Sequence, residues 1–292
     1  MIYIIENDHL RVKVSSLGAE LQSIRGVESG IEYLWQGDSA YWARRASNLF
    51  PVCGRLWENK YTYEGDTYEM GSHGFARGKE WSVARQTTTA LTLQLLPDEE
   101  TLAAYPFRFA LEMTYALSED SLAVTTIVRN EDDKMMPFAV GGHPGFNVPL
   151  TEDTVYEDYK LVFDTPCQPL QFVNDANCYH LGKMKVFPLE DGQWLPLTHS
   201  LFDDDAIFLE KTCGGVTLCS DKHEHSVRLS YPESPYLGIW HTPKSDAPFV
   251  CLEPWVQSPS RAGEVSDLAT KESLIHLDPG CGYRNTYTIT CK

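Results

Sequence analysis

The chain predicts an all-β protein built as a large antiparallel β-sandwich. Short apolar runs with a two-residue period recur along its 292 residues, short polar turns separate them, and amphipathic stretches of helical period are nearly absent. That many antiparallel strands must close or cover their edges, and two large curved sheets packed face to face do so without a helical layer.

Taken in order, "LRVKVSS" near the start is the first alternating run. "DSAYWARRA" (38–46) predicts a short helix. In "YTYEGDTYEM" the residues Glu64, Gly65 and Asp66 suit a hairpin turn. The cleanest strand is "FRFALEMTYAL", where Phe107, Phe109, Leu111, Met113, Tyr115 and Leu117 alternate with smaller or polar residues. "ALTLQLL" before it and "LAVTTIVRN" after it repeat the pattern across the polar separators "PDEE" and "SEDS", which predicts an antiparallel meander. "SVRLSY" and "TYTIT" add strands towards the C-terminus, and "EVSDLATKES" (264–273) predicts a second short helix. No Gly-, Ser- or Pro-rich linker and no internal repeat divides the chain, so residues 1–292 are expected to form one domain.

Composition narrows the function. With 24 basic against 41 acidic side chains the formal charge is −17, which disfavours nucleic-acid partners and anionic membrane surfaces. The densest basic pair, Arg44 and Arg45, sits among aromatic and polar residues instead of in a basic run. No window approaches the ~20 apolar residues of a membrane span, and "MIYIIENDHLRVKV" lacks the pattern of a signal peptide. Eight cysteines contain no C-x-x-C pair, and most read as small buried thiols, as Cys251 does in "PFVCLEP". A cytoplasmic protein is expected.

Four stretches break the strand pattern with polar residues among glycines and aromatics: "SNLFPVCGRLW", "GSHGFARGKEW", "GGHPGFNVPL" and "APFVCLEPW". In the last, Glu253 ends an apolar strand, where desolvation raises a carboxyl pKa and suits a proton acceptor near neutral pH. His73 and His143 each lie beside glycines that permit close approach of the backbone to a ligand. Each histidine alone has an ordinary reading as a hydrogen-bonded core or loop residue. Arg55 has apolar flanks that favour a buried, hydrogen-bonding guanidinium. Of the aspartates 203–205, Asp205 enters an apolar run and is the pocket candidate. His223 and His225 read as a solvated hairpin tip before they read as metal ligands.

Together "GAELQSI", "LFPVCGRL", "HGFAR", "GGHPGFN", "DDAIF" and "FVCLEPW", in this order, resemble the aldose 1-epimerase (mutarotase) family and its shorter bacterial branch. The resemblance implies a galactose mutarotase-like supersandwich that interconverts the α and β anomers of a hexose without a cofactor. It implies Glu253 as general base on the anomeric hydroxyl and His143 as general acid on the ring oxygen, placed on opposite sides of the sugar ring with pKa values pushed apart. By the same resemblance His73 polarises the ring oxygen or holds a hydroxyl, and Arg55 and Asp205 bind hydroxyls. Among the aromatics Trp57, Phe75, Trp81, Phe146, Trp240 and Trp255, some would offer apolar faces to sugar C–H groups and others belong to the core.

"GRL" departs from the longer Asn-Arg motif of galactose mutarotases, and "HGFARGKEW" is partly similar to the branch acting on hexose 6-phosphates, where Arg77, Arg44 and Arg45 would hold phosphate. A free hexose is favoured over the phosphorylated one. Three other readings compete: a carbohydrate-binding or sugar-sensing protein without catalysis, a glycoside hydrolase using Glu253 and Asp205, and a metal enzyme using His73, His143 and Glu253. No metal is expected, and the oligomeric state is open.

Overall fold

The computed structural model describes residues 1–292. Alternating burial sets the strands, as in Ser121–Asn130, where every second side chain from Leu122 to Asn130 is buried. The first half of the chain contains β1 (Ile2–Glu6), β2 (Leu10–Ser15), β3 (Leu21–Gly26), β4 (Ala46–Leu49), β5 (Lys60–Tyr63) and β6 (Asp66–Glu69). It continues with β7 (Ser82–Gln86), β8 (Ala90–Leu95), α1 (Glu99–Ala104), β9 (Phe109–Ser118), β10 (Ser121–Asn130), β11 (Met136–Phe138) and β12 (Gly141–Asn147). Next come β13 (Tyr159–Phe163), β14 (Leu170–Asn174), β15 (His180–Val186), β16 (Trp194–Pro196), β17 (Ile207–Glu210) and β18 (Gly215–Ser220). The last are β19 (Ser226–Ser230), β20 (Tyr236–Trp240), β21 (Phe249–Trp255), β22 (Ile275–Leu277) and β23 (Gly282–Cys291).

Two antiparallel sheets dominate. One has nine strands in the order β16-β13-β18-β19-β23-β10-β9-β8-β7, and the other has seven in the order β15-β14-β17-β20-β21-β12-β4. The meander expected over residues 90–130 is β8-β9-β10, and the Glu64–Gly65 turn joins β5 to β6. Between the sheets lies a core cluster of 68 buried residues. Strand alternation divides the seven-stranded sheet into two faces. Ile207, Leu209, Leu237, Ile239, Val250 and Leu252 lie on one face of the sheet, while Phe208, also part of the apolar cluster, Gly238 and Glu253, aligned across β17, β20 and β21, lie on the other. Contacts between the sheets are close: a Cβ on Gly142 of β12 would lie 2.7 Å from the Tyr287 hydroxyl of β23. Asn48 of β4 donates through Nδ2 to the Tyr115 hydroxyl of β9 at 2.9 Å.

Both helices expected from the sequence are corrected. Residues 264–273 are turns and irregular chain, because Ser266 and Leu268 use their backbone groups to bond Thr62 of β5 (3.0 and 2.8 Å). Residues 38–46 make one turn and then enter β4, where the Arg45 carbonyl accepts from Gly145 at 2.8 Å. Conversely, "PDEE", read as a turn, begins α1: Asp98 accepts from Thr101 N–H and Thr101 Oγ1 accepts from Asp98 N–H, a reciprocal cap.

Candidate active site

Strands β12 and β21 pair with Gly141 opposite Trp255 and Gly145 opposite Cys251, which sets His143 directly across from Glu253. Their side chains emerge on the face away from the core, and His143 Nε2 lies 3.3 Å from Glu253 Oε2. Both residues are buried. The glycines flanking His143 answer to close packing: a Cβ on Gly141 would meet Trp255 at 2.8 Å, and one on Gly145 would meet Trp35 and Trp42 at 3.2 Å. The His143 ring stacks on Trp42 at 4.8 Å and meets the edge of Trp240 at 5.7 Å.

Burial governs the protonation of this pair. It pushes the His143 imidazolium down to about 3, with the positive charges of Arg77 and Arg44 acting in the same direction. Burial also pushes the Glu253 carboxyl well above its ordinary range, and the negative charge of Asp205 adds to the effect. Both shifts oppose charge at two atoms in contact. His143 and Glu253 are therefore adjacent on the cavity floor.

His73 adopts a positive φ of 65° beside Gly74, and its backbone N–H donates to the Gly54 carbonyl at 2.7 Å. The Gly54 N–H donates in return to His73 Nδ1 at 3.2 Å. With Nδ1 accepting, the proton of the neutral ring resides on Nε2. Burial first, then His143 and nearby arginines, lower the His73 pKa well below the ordinary value and keep the ring neutral. Its ring is 5.4 Å from that of His143 and 5.5 Å from that of Trp255.

Around this floor the chain forms a cavity of ≈ 390 Å³, a size suited to a small molecule. Arg55, Asp205, Arg77, Trp240 and Trp255 line it with His73, His143 and Glu253. Asp205 is held by the Trp240 indole N–H at 2.8 Å and by Arg55 at 3.7 Å, and Arg55 donates to the Asn177 carbonyl at 2.6 Å. Arg77 donates to the Ser72 carbonyl at 2.8 Å, while Arg44 donates to the Arg77 carbonyl at 3.3 Å. Burial and the neighbouring Arg44 push the Arg77 guanidinium down to about 10.

Other expected residues lie elsewhere. Phe75 packs among Phe50, Tyr105 and Phe109 with ring centroids 5.8–6.3 Å apart, because the positive-φ turn at His73–Gly74 directs the next side chain inward. Trp81 and Phe146 are buried core residues, and Trp57 packs on Tyr179. Arg45 bonds the Gln22 carbonyl and the Gln36 side chain, away from the cavity. His73, His143 and Glu253 do not converge as metal ligands, since His73 Nδ1 is occupied by Gly54; the convergent donors are His143, Cys251 and Glu253, within 4.8 Å of one another. His223 sits in the β18–β19 tip and contacts the Tyr159 hydroxyl at 2.8 Å. Sequence reasoning missed Trp42, Asn174, Phe208 and Ser260 as lining residues. Trp42 was hidden in the segment expected to be helical, and Phe208 was recoverable as the residue two before Glu210 on a strand facing Glu253.

Comparison with known proteins places this geometry. Residues 1–259 match the family model described as Aldose 1-epimerase. The chromosomal and plasmid forms of protein LacX from Lactococcus lactis subsp. lactis are each 33% identical over 295 residues, covering 98% of this chain and 98% of theirs. A galactose mutarotase related enzyme from Lactobacillus acidophilus superposes with a TM-score of 0.95 at 34% identity, covering 100% of this chain and 97% of that one. A galactose mutarotase-like protein from Lactobacillus casei ATCC 334 gives 0.94 at 35% identity, covering 100% of both chains.

Proposed function

The chain belongs to the aldose 1-epimerase family and is an epimerase-type isomerase, and from that premise we propose that it interconverts the anomers of a free hexose through Glu253 and His143. The Glu253 carboxylate takes the proton of the anomeric hydroxyl while the His143 imidazolium gives its proton to the ring oxygen. The bond between the anomeric carbon and the ring oxygen breaks, leaving an open-chain aldehyde. Rotation about C1–C2 presents the other carbonyl face, and closure returns both protons. The form with a charged carboxylate and imidazolium differs from the neutral pair only in where the shared proton resides, and sugar hydroxyls entering the cavity solvate the charged form.

One observation carries this reading: the 3.3 Å contact between two buried groups with opposite roles in proton transfer. His73 Nε2–H serves as a fixed donor to a sugar oxygen, and Arg55 and Asp205 hold hydroxyls. Trp255 and Trp240 supply the apolar walls. Polarimetry on freshly dissolved α-D-galactose and α-D-glucose tests the mechanism. Glu253→Gln and His143→Asn should each lower the catalysed rate by about 10²–10⁴-fold while the variants stay folded. An unaltered rate in either variant would remove that residue from the chemistry.

A second reading, a hexose 6-phosphate, is favoured by Arg77, a half-buried guanidinium beside Arg44 that lines the cavity without a carboxylate ion pair. A kcat/KM for glucose 6-phosphate above that for glucose, abolished by Arg77→Gln, would select it. No helix is long and apolar enough to cross a membrane, and all eight cysteines are free, which supports a cytoplasmic location.

A further inference from the structure

The face of the seven-stranded sheet that bears Glu253 continues past the catalytic pocket. Two residues along β17 and β20, roughly 7 Å by strand geometry, Glu210 and Tyr236 pair and form part of the floor of a second cavity of ≈ 570 Å³. Phe172 of β14 completes that floor, 6.2 Å from Phe208 of the first pocket. Pro259 lines both cavities and forms a shared wall.

Lys271 lines the second cavity and is only 9% exposed, yet its ammonium makes no hydrogen bond and no ion pair within 4.0 Å. The Lys271 stem is buried while its ammonium opens onto the polar cavity, so a molecule seated there would meet a donor that no protein group has taken. His180, which also lines the cavity, has a buried Nδ1 without a partner. Burial pushes the Lys271 pKa down to about 8.

The charges of the lining select the partner. Glu210, Glu264, Asp267 and Glu272 oppose an anion, and Lys271 with Arg261 opposes a simple cation. A neutral molecule rich in hydroxyls satisfies donors and acceptors together, and the rings of Phe172 and Tyr236 suit the apolar C–H faces of a sugar. We infer that this cavity is a second carbohydrate site, in which Lys271 donates to a hydroxyl of a neutral polyol or sugar. It stands on the geometry of this cavity and not on the roles given to His143 and Glu253.

The test is acetylation of Lys271 in the wild-type protein by sulfo-N-hydroxysuccinimidyl acetate, followed by peptide mass spectrometry. D-Galactose, D-glucose, lactose and sorbitol are added separately, with inorganic phosphate as the anionic control and exposed Lys13 as the internal reference. At least one of the four should slow Lys271 modification by the factor 1 + [L]/Kd, about tenfold at nine times Kd, leaving Lys13 unaffected. Equilibrium dialysis of the protecting sugar should show one site fewer in Lys271→Met than in wild type. Protection that persists in Glu253→Gln separates this cavity from the catalytic pocket. Protection by none of the four, or by phosphate alone, overturns the second site whatever the mutarotation assay shows. If Lys271→Met does not fold, the wild-type protection decides.

Discussion

Burial disfavours the charged form of Glu253, a cost that appears as pH rises. Its folded pKa is raised above the unfolded value near 4.5, so its contribution to stability is full below that value and is lost as pH climbs through the folded pKa. Glu253→Gln keeps the shape and removes the ionisation. Its Tm should therefore exceed that of the wild type by a margin that grows with pH above 4.5 in a series of melts. The activity profile should be equally distinctive. A separate carboxylate and imidazolium with ordinary values would work between 4.5 and 6.5, whereas the shifts found here lower the acid limb and raise the basic limb. The kcat/KM plateau should extend beyond both ends of that interval; a bell confined within it would show that the pair does not share one proton. At this scale much was legible: Glu253, His143, His73, Arg55, Asp205, Arg77 and Trp255 meet around one cavity. Phe75 was not legible, because a two-residue turn decides which way its ring points and sequence spacing does not encode that direction.

Turns and caps make the second level of prediction. Gly74 has φ +70°, and a Cβ there would lie 2.2 Å from the Phe50 carbonyl oxygen. Gly74→Ala should cost at least the 1–2 kcal/mol of a left-handed alanine, roughly, plus the clash, measured by urea unfolding, and should displace His73. Asp98→Ala removes the α1 cap and should cost about 1 kcal/mol in the same experiment. Strands were readable because alternation is local, as in β9 and β10. The segments 38–46 and 264–273 were misread because their backbone partners, Gly145 and Thr62, are distant in the chain.

Across the whole molecule the two large sheets are tied by polar as well as apolar contacts. The Tyr115 hydroxyl accepts from Asn48 Nδ2 and donates to the Ala19 carbonyl, joining the nine-stranded sheet to β4 and to the loop before β3. Tyr115→Phe removes two hydrogen bonds while Asn48 Nδ2 and the Ala19 carbonyl keep their bond to each other, so it should destabilise the protein by about 0.5–1.5 kcal/mol in urea titration, with polarimetric activity unchanged at 25 °C. A sandwich was legible from strand number and scarcity of helices. The strand order was not, since pairings such as β10 with β23 depend on contacts between remote parts of the chain.

The position of the His143–Glu253 pair within this architecture separates two kinds of inheritance. His143 and Glu253 face each other across neighbouring strands, and each is held in register by the strand on its other side, His143 opposite Ser47 of β4 and Glu253 opposite Gly238 of β20. His73, Arg55, Arg77 and Asp205 come instead from the connections between strands. Grafting connections from one such scaffold onto another should therefore exchange the sugar that is accepted and leave the proton transfer intact. On the proposed mechanism the chemistry belongs to the framework, and the choice of sugar to its replaceable parts.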